Sequence, residues 1–110
     1  MERRICLRGR TDFPVLLASG YRRHQGRGVE ISSSGIIVDR GLWLEGTDQP
    51  LTMRLTIRLP ERRRPISALA RHVRCFGSQQ VLRFVQISDV DRLTLAEHLD
   101  IVQRRGASLN

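Results

Sequence analysis

Four arginines, Arg3, Arg4, Arg8 and Arg10, fall within the first ten residues, offset only by Glu2 and then Asp12. Guanidinium groups are costly to bury without partners, so a core strand or helix does not begin this way. The stretch is either idle solvated charge or one half of an anion site. The candidate second half starts twenty-two residues after Arg8, at Glu30-Ile31-Ser32-Ser33-Ser34-Gly35. It combines a carboxylate, hydroxyls and a glycine where an apolar stretch is interrupted.

The chain of 110 residues suffices for one domain with a real core. It is 40% hydrophobic and 27% charged, the balance of a globular protein rather than a disordered one. No apolar run approaches the roughly 18 residues that span a bilayer, and the N-terminus lacks the apolar segment of a secretory signal. We therefore expect a cytoplasmic protein without membrane insertion. All 19 of its basic residues are arginine, and the net charge is +8. Base composition of the genome is the plain reading of the missing lysine. Physically, every cation is a planar fork able to grip phosphate or guanine with two bonds and to stack on a ring. A small basic domain of this kind points to an anionic partner.

Cys6 and Cys75 form neither a disulfide framework nor a CxxC site. His24, His72 and His98 have no metal-ligand spacing. No Ser/His/Asp order or paired carboxylates stand out, so the chain is not read as an enzyme, and neither a metal nor a cofactor is expected.

The elements that would hold the two halves follow from periodicity. Phe13 to Ser19 reads as a first strand, and Gly20 to Gly28 as a polar hairpin connection. Val29 and Ile31 alternate with Glu30 and Ser32 as in a half-buried strand. The run resumes at Ile36 after Gly35, which implies a sharp turn or a close backbone approach. Gly41 to Pro50 reads as a loop, with Trp43 plugging the core. Leu51 to Leu59 alternates without a fault, Leu51, Met53, Leu55, Ile57 and Leu59 inward. Ile66 to Phe76 and Val81 to Ile87 form a further pair, with a slip near Ala70 and Arg71 that suggests a bulge. Six or so short strands joined by tight loops favour a closed antiparallel barrel or a sandwich. After Ser88 the period changes. Ser88 with Asp91 resembles a capping box, and Leu95, Leu99 and Val102 share one helical face. The helix is predicted over about 89–105, stopped by Gly106, with Leu93 and Ile101 off its main stripe.

Arg4 and Arg8 form RxxxR, and Glu30, Ser32 and Gly35 form ExSxxG. In that order, ahead of barrel strands and a terminal helix, they resemble the PilZ domain family, bacterial receptors for the second messenger cyclic di-GMP. The family pattern is RxxxR followed by (D/N)xSxxG. The resemblance covers the whole chain and implies a flexible arm over 1–12 and one domain over 13–110. That domain would be a six-stranded antiparallel PilZ-type β-barrel plus a C-terminal α-helix. By this resemblance Arg3, Arg4, Arg8, Glu30, Ser32 and Gly35 bind cyclic di-GMP. The arginines would fork onto phosphates and guanine edges, the carboxylate and hydroxyl would meet a guanine, and the glycine would let the ring approach. An arginine at position 3, before the motif, accompanies two intercalated ligands in the family rather than one. Glu30 departs from the pattern, because it pushes the carboxylate one methylene farther out.

The implied function is a receptor and adaptor that orders its arm on binding and signals to a protein effector not identified by the sequence. Two other classes stand beside it. A PilZ-like protein–protein adaptor without nucleotide is made possible by Glu30, while the intact arginines argue against it. A basic nucleic-acid-binding barrel is favoured by the arginines but opposed by the scarcity of aromatic stacking platforms, so no specific nucleic acid is expected.

Overall fold

The computed structural model describes residues 12–60 and 63–108. Arg3, Arg4 and Arg8, and with them the arm predicted over 1–12 as far as residue 11, lie outside the described residues. Six strands and one helix follow: β1 (Phe13–Ser19), β2 (Arg22–Ile31), β3 (Gly35–Asp39), β4 (Thr52–Ile57), β5 (Ile66–Phe76), β6 (Gln79–Ile87) and α1 (Asp89–Ser108). The strands close into an antiparallel barrel in the order β1-β2-β3-β6-β5-β4, sealed by pairing of β1 with β4. This is the fold class the sequence implied.

Alternation builds the core. Phe13, Val15 and Leu17 on β1, Ile36 and Val38 on β3, Met53, Leu55 and Ile57 on β4, and Ile66, Ala68 and Ala70 on β5 all point inward and are buried. Leu59 and Leu95 complete the same cluster. Closure leaves no exposed strand edge along the sheet. One end of the barrel collects the start of β1, the β2–β3 turn and the end of β6, where α1 begins.

Several readings of the sequence are corrected. Gly20 to Gly28 is not a loop, because only Gly20 and Tyr21 turn and β2 already pairs with β1 from Arg22. The glycines of β2 belong to the strand interior. A Cβ on Gly28 would run into the Phe13 ring, and one on Gly26 would stand 2.6 Å from a Val38 methyl. They are glycine because the barrel is too tight there for a side chain. Trp43 is not a core plug but 70% exposed, whereas Leu44 is buried. The N–H of Leu44 donates to the carbonyl of Gly77 (2.8 Å) and that of Arg40 to Ser78 (2.9 Å), which fastens the loop to the β5–β6 turn with Leu44 inward. Leu51 is also exposed, because it precedes the first β4–β5 pair, Thr52 with Arg71, at the end away from α1.

The expected irregularity of β5 is present as register shifts at Leu69/Ala70 and His72/Arg74. The helix start is half of the expected capping box. Asp91 N–H donates to Ser88 Oγ (3.1 Å), as an N-cap requires. The Asp91 carboxylate instead accepts from Ser67 N–H of β5 (3.2 Å) and so ties α1 to the barrel. The inner stripe is Leu95, His98 and Val102, with Leu99 only partly buried. Gly106 does not stop the helix, which continues to Ser108.

Candidate functional site

The β2–β3 hairpin carries three of the six predicted site residues, Glu30, Ser32 and Gly35, and a bulge sets which way Glu30 faces. Gly28 pairs with Val38, but the next pair is Glu30 with Ile37, leaving Val29 as the extra residue. Strict alternation from buried Gly28 would send Glu30 inward. The extra residue reverses the phase, so Ile31 turns into the core and Glu30 lies on the outer face. Val29 is accordingly half-buried, not an inward partner of Ile31 as the sequence pattern of this stretch implied.

Ser32 closes the hairpin. Its N–H donates to the Gly35 carbonyl (2.9 Å). Its Oγ accepts from Ser34 N–H (3.3 Å) and lies 3.4 Å from the Gly35 carbonyl, to which it donates. The Ser34 carbonyl accepts from Phe84 N–H (2.8 Å), which fastens the turn to β6. Gly35 meets Arg83 across the β3–β6 ladder, and a Cβ on it would strike the carbonyl oxygen of Leu82. The close approach expected at this glycine is therefore between strands of the barrel itself.

Glu30, Ser32 and Gly35 share one open concavity of about 460 Å³, lined also by Ile37, Val73, Val81 and Arg83. Glu30, Ile37, Val81 and Arg74 follow one another across four strands. Gly35, Arg83 and Arg71 form the neighbouring row. The surface thus runs from a carboxylate, over an apolar floor, to guanidinium groups. The sequence reading missed Arg83, Val73 and Val81. Alternation of buried Leu82 with Arg83 marks Arg83 as outward, but only the register places it opposite Gly35.

The chain enters the barrel close by. Phe13 pairs with Gly28, so β1 starts beside the Glu30 end of β2. Asp12 is held there by Arg27, whose Nε donates to Asp12 Oδ1 (2.8 Å) and whose terminal nitrogen bonds Oδ2. The hydrogen bond and charge of Arg27 hold the Asp12 carboxyl below its ordinary range. A broader hollow of about 960 Å³, lined by Asp12, Arg27, Asp39 and Arg40, lies along β1–β3. Its cations are already engaged, Arg27 by Asp12 and Arg40 by Gln80, so it offers an anion less than the Arg83 side of the Glu30 concavity does.

At the opposite end, Arg40 donates to Gln80 Oε1 (2.6 Å), and Gln80 Nε2 lies 2.9 Å from His72 Nδ1. Burial lowers the pKa of Arg40 from its ordinary value. Among the described residues no group of three His, Cys, Asp or Glu side chains could hold a metal ion, and no helix is long and apolar enough to cross a membrane.

The six-stranded antiparallel barrel with its C-terminal helix resembles the PilZ fold. No family model and no curated protein matches the chain. Among solved structures it is similar to the Bacillus subtilis inhibitor of motility, MotI/DgrA, with a TM-score of 0.67 and 25% identity. That match covers 88% of this chain and 48% of the inhibitor, so the chain spans about half the length of that protein. An uncharacterized Legionella protein shares the fold, with a TM-score of 0.54, 19% identity and coverage of 83% and 87%. Fold and distant similarity together point to a PilZ-type domain.

Proposed function

We propose that the domain is a cyclic di-GMP receptor that signals to a protein effector by ordering its N-terminal arm. The observation that carries this reading is the shared concavity of Glu30, Ser32 and Gly35 at the barrel end where β1 begins. Arg8 precedes Asp12 by four residues, a span of at most ~14 Å, so it can reach the concavity. Arg4 and Arg8 then supply forks to phosphate oxygens and guanine edges. The carboxylate of Glu30 supplies an acceptor for guanine N–H groups. Arg3 adds a cation for a second, stacked ligand.

Charge-assisted bonds contribute roughly 1.5–3 kcal/mol each, and ordering costs about 1–2 kcal/mol per residue fixed. Four or five such bonds leave roughly micromolar affinity, suited to a reversible signal. Isothermal titration with cyclic di-GMP at physiological salt tests the reading, with GTP and a short single-stranded DNA as controls. Selective micromolar binding abolished in Arg8→Ala supports it, and the stoichiometry tests the role of Arg3. Absence of heat at high ligand concentration overturns it.

A nucleotide-free adaptor is the second reading. It is favoured by Ser32 Oγ, which is engaged within its own turn, and by Gly35, whose missing side chain makes room for Leu82. Binding of an effector that is insensitive to cyclic di-GMP would distinguish it.

A further inference from the structure

Arg71 and Arg83 are direct cross-strand neighbours on the outer face of β5 and β6. Both are exposed, and no acidic side chain among the described residues pairs with either. Like charges directly opposite one another in a sheet are destabilising, so this pair works against the barrel that displays it. Register fixes their α-carbons as neighbours, so the two side chains leave the sheet side by side. A bound anion would relieve that repulsion.

The pair also borders the concavity. Arg83 lines it together with Glu30, Ser32 and Gly35, and Arg71 stands beside Arg83 one strand farther out. Since Gly35 has no side chain, nothing on β3 screens the Arg83 stem from the turn opposite it. Glu30 and Arg83 stand two strands and one row apart, roughly 12 Å between α-carbons from ordinary sheet spacings. Between them lie the side chains of Ile37 and Val81. An acceptor at one edge, an apolar floor and a forked donor at the other suit a purine face with its phosphate beyond. Arg74 does not compete for that phosphate, since its guanidinium sits 5.6 Å from the Phe76 ring centre.

We infer that Arg71 and Arg83 form a phosphate clamp on the barrel wall, a second cationic side of the ligand site independent of the N-terminal arginines. The inference rests on the proposed ligand site but not on the identity of the nucleotide. The clamp grips phosphate oxygens through two guanidinium forks. It does so at a place where the protein is more stable once the two charges are separated or neutralised.

This gives a signature that a structural role cannot imitate. Arg83→Gln and Arg71→Gln should each leave the unliganded melting temperature unchanged or raised. Each should weaken cyclic di-GMP binding by roughly 10-fold or more, the loss of one charge-assisted bond. Arg83→Lys, which keeps the charge but loses the fork, should recover only part of the affinity. Pyrophosphate alone should raise the wild-type melting temperature, and that shift should vanish in the double variant.

If wild type binds cyclic di-GMP and the glutamine variants bind equally well, the clamp is overturned and the receptor reading stands. If wild type does not bind cyclic di-GMP, the receptor reading fails and pyrophosphate decides the clamp. A melting shift lost in the double variant sustains it, and no shift, or an equal shift in both, overturns it. A lowered melting temperature in the unliganded glutamine variants also overturns it, because the arginines would then be supporting the barrel.

Discussion

Gly35 and Leu82 are in contact through main chain alone: the space that a Cβ on Gly35 would need is occupied by the carbonyl oxygen of Leu82. A carbonyl within a barrel ladder cannot swing aside as a side-chain end can. The glycine therefore serves β3–β6 pairing as well as any ligand.

Gly35→Ala should accordingly destabilise the unliganded domain by about 1–3 kcal/mol, the range for overpacking. A urea denaturation midpoint lowered with unchanged slope would show it. An unchanged midpoint would mean that the strands can separate there, and that the glycine matters only to the ligand.

Gln80 is fully buried and links Arg40 to His72. Its carbonyl oxygen accepts a hydrogen bond from Arg40, which leaves its amide nitrogen to donate to His72 Nδ1. Gln80→Leu keeps the volume but leaves Arg40 without that acceptor and His72 without that donor. We expect a loss of about 2–4 kcal/mol by chemical denaturation.

Trp43 and Leu44 are neighbours with opposite fates. Leu44→Ala should cost about 2–5 kcal/mol, as for other buried leucines. Trp43→Ala should change stability by no more than about 0.5 kcal/mol. As Trp43 is the sole tryptophan, the native fluorescence should be that of a solvated indole, quenched readily by iodide. A blue-shifted, protected emission would contradict the exposed placement.

The Asp12–Arg27 pair carries a pH signature. The folded Asp12 carboxyl titrates below its ordinary 3.8 because Arg27 bonds and attracts it. A depressed carboxylate stabilises the folded state above the unfolded value, and this is lost as pH falls through the folded one. Anchoring of the arm root should thus be constant at neutral pH and weaken only in strong acid. Carboxyl-carbon shifts of Asp12 measured by NMR should titrate below 3.8 in wild type and return to the ordinary range in Arg27→Ala.

Much was legible in the chain alone. The unbroken alternation of Met53, Leu55 and Ile57 is a property of local spacing, and it produced a core strand. Ser88 at the change of period capped a helix, because the cap is a contact within three residues. The Glu30, Ser32 and Gly35 constellation needed only one hairpin, so its residues lie together.

Tertiary structure decided what depends on distant partners. Gly26 and Gly28 look like turn residues until Val38 and Phe13 fill the space beside them. Trp43 looks like a core residue until the bonds of Leu44 and Arg40 to the β5–β6 turn send Leu44 inward in its place. The bulge at Val29 turns Glu30 outward, the β3–β6 register brings Arg83 to the same concavity, and the β5–β6 register sets Arg71 beside Arg83. Residue types and local period determine which side chains can face solvent or core. Only closure of the barrel, which joins strands far apart in the chain, decides which of them face each other.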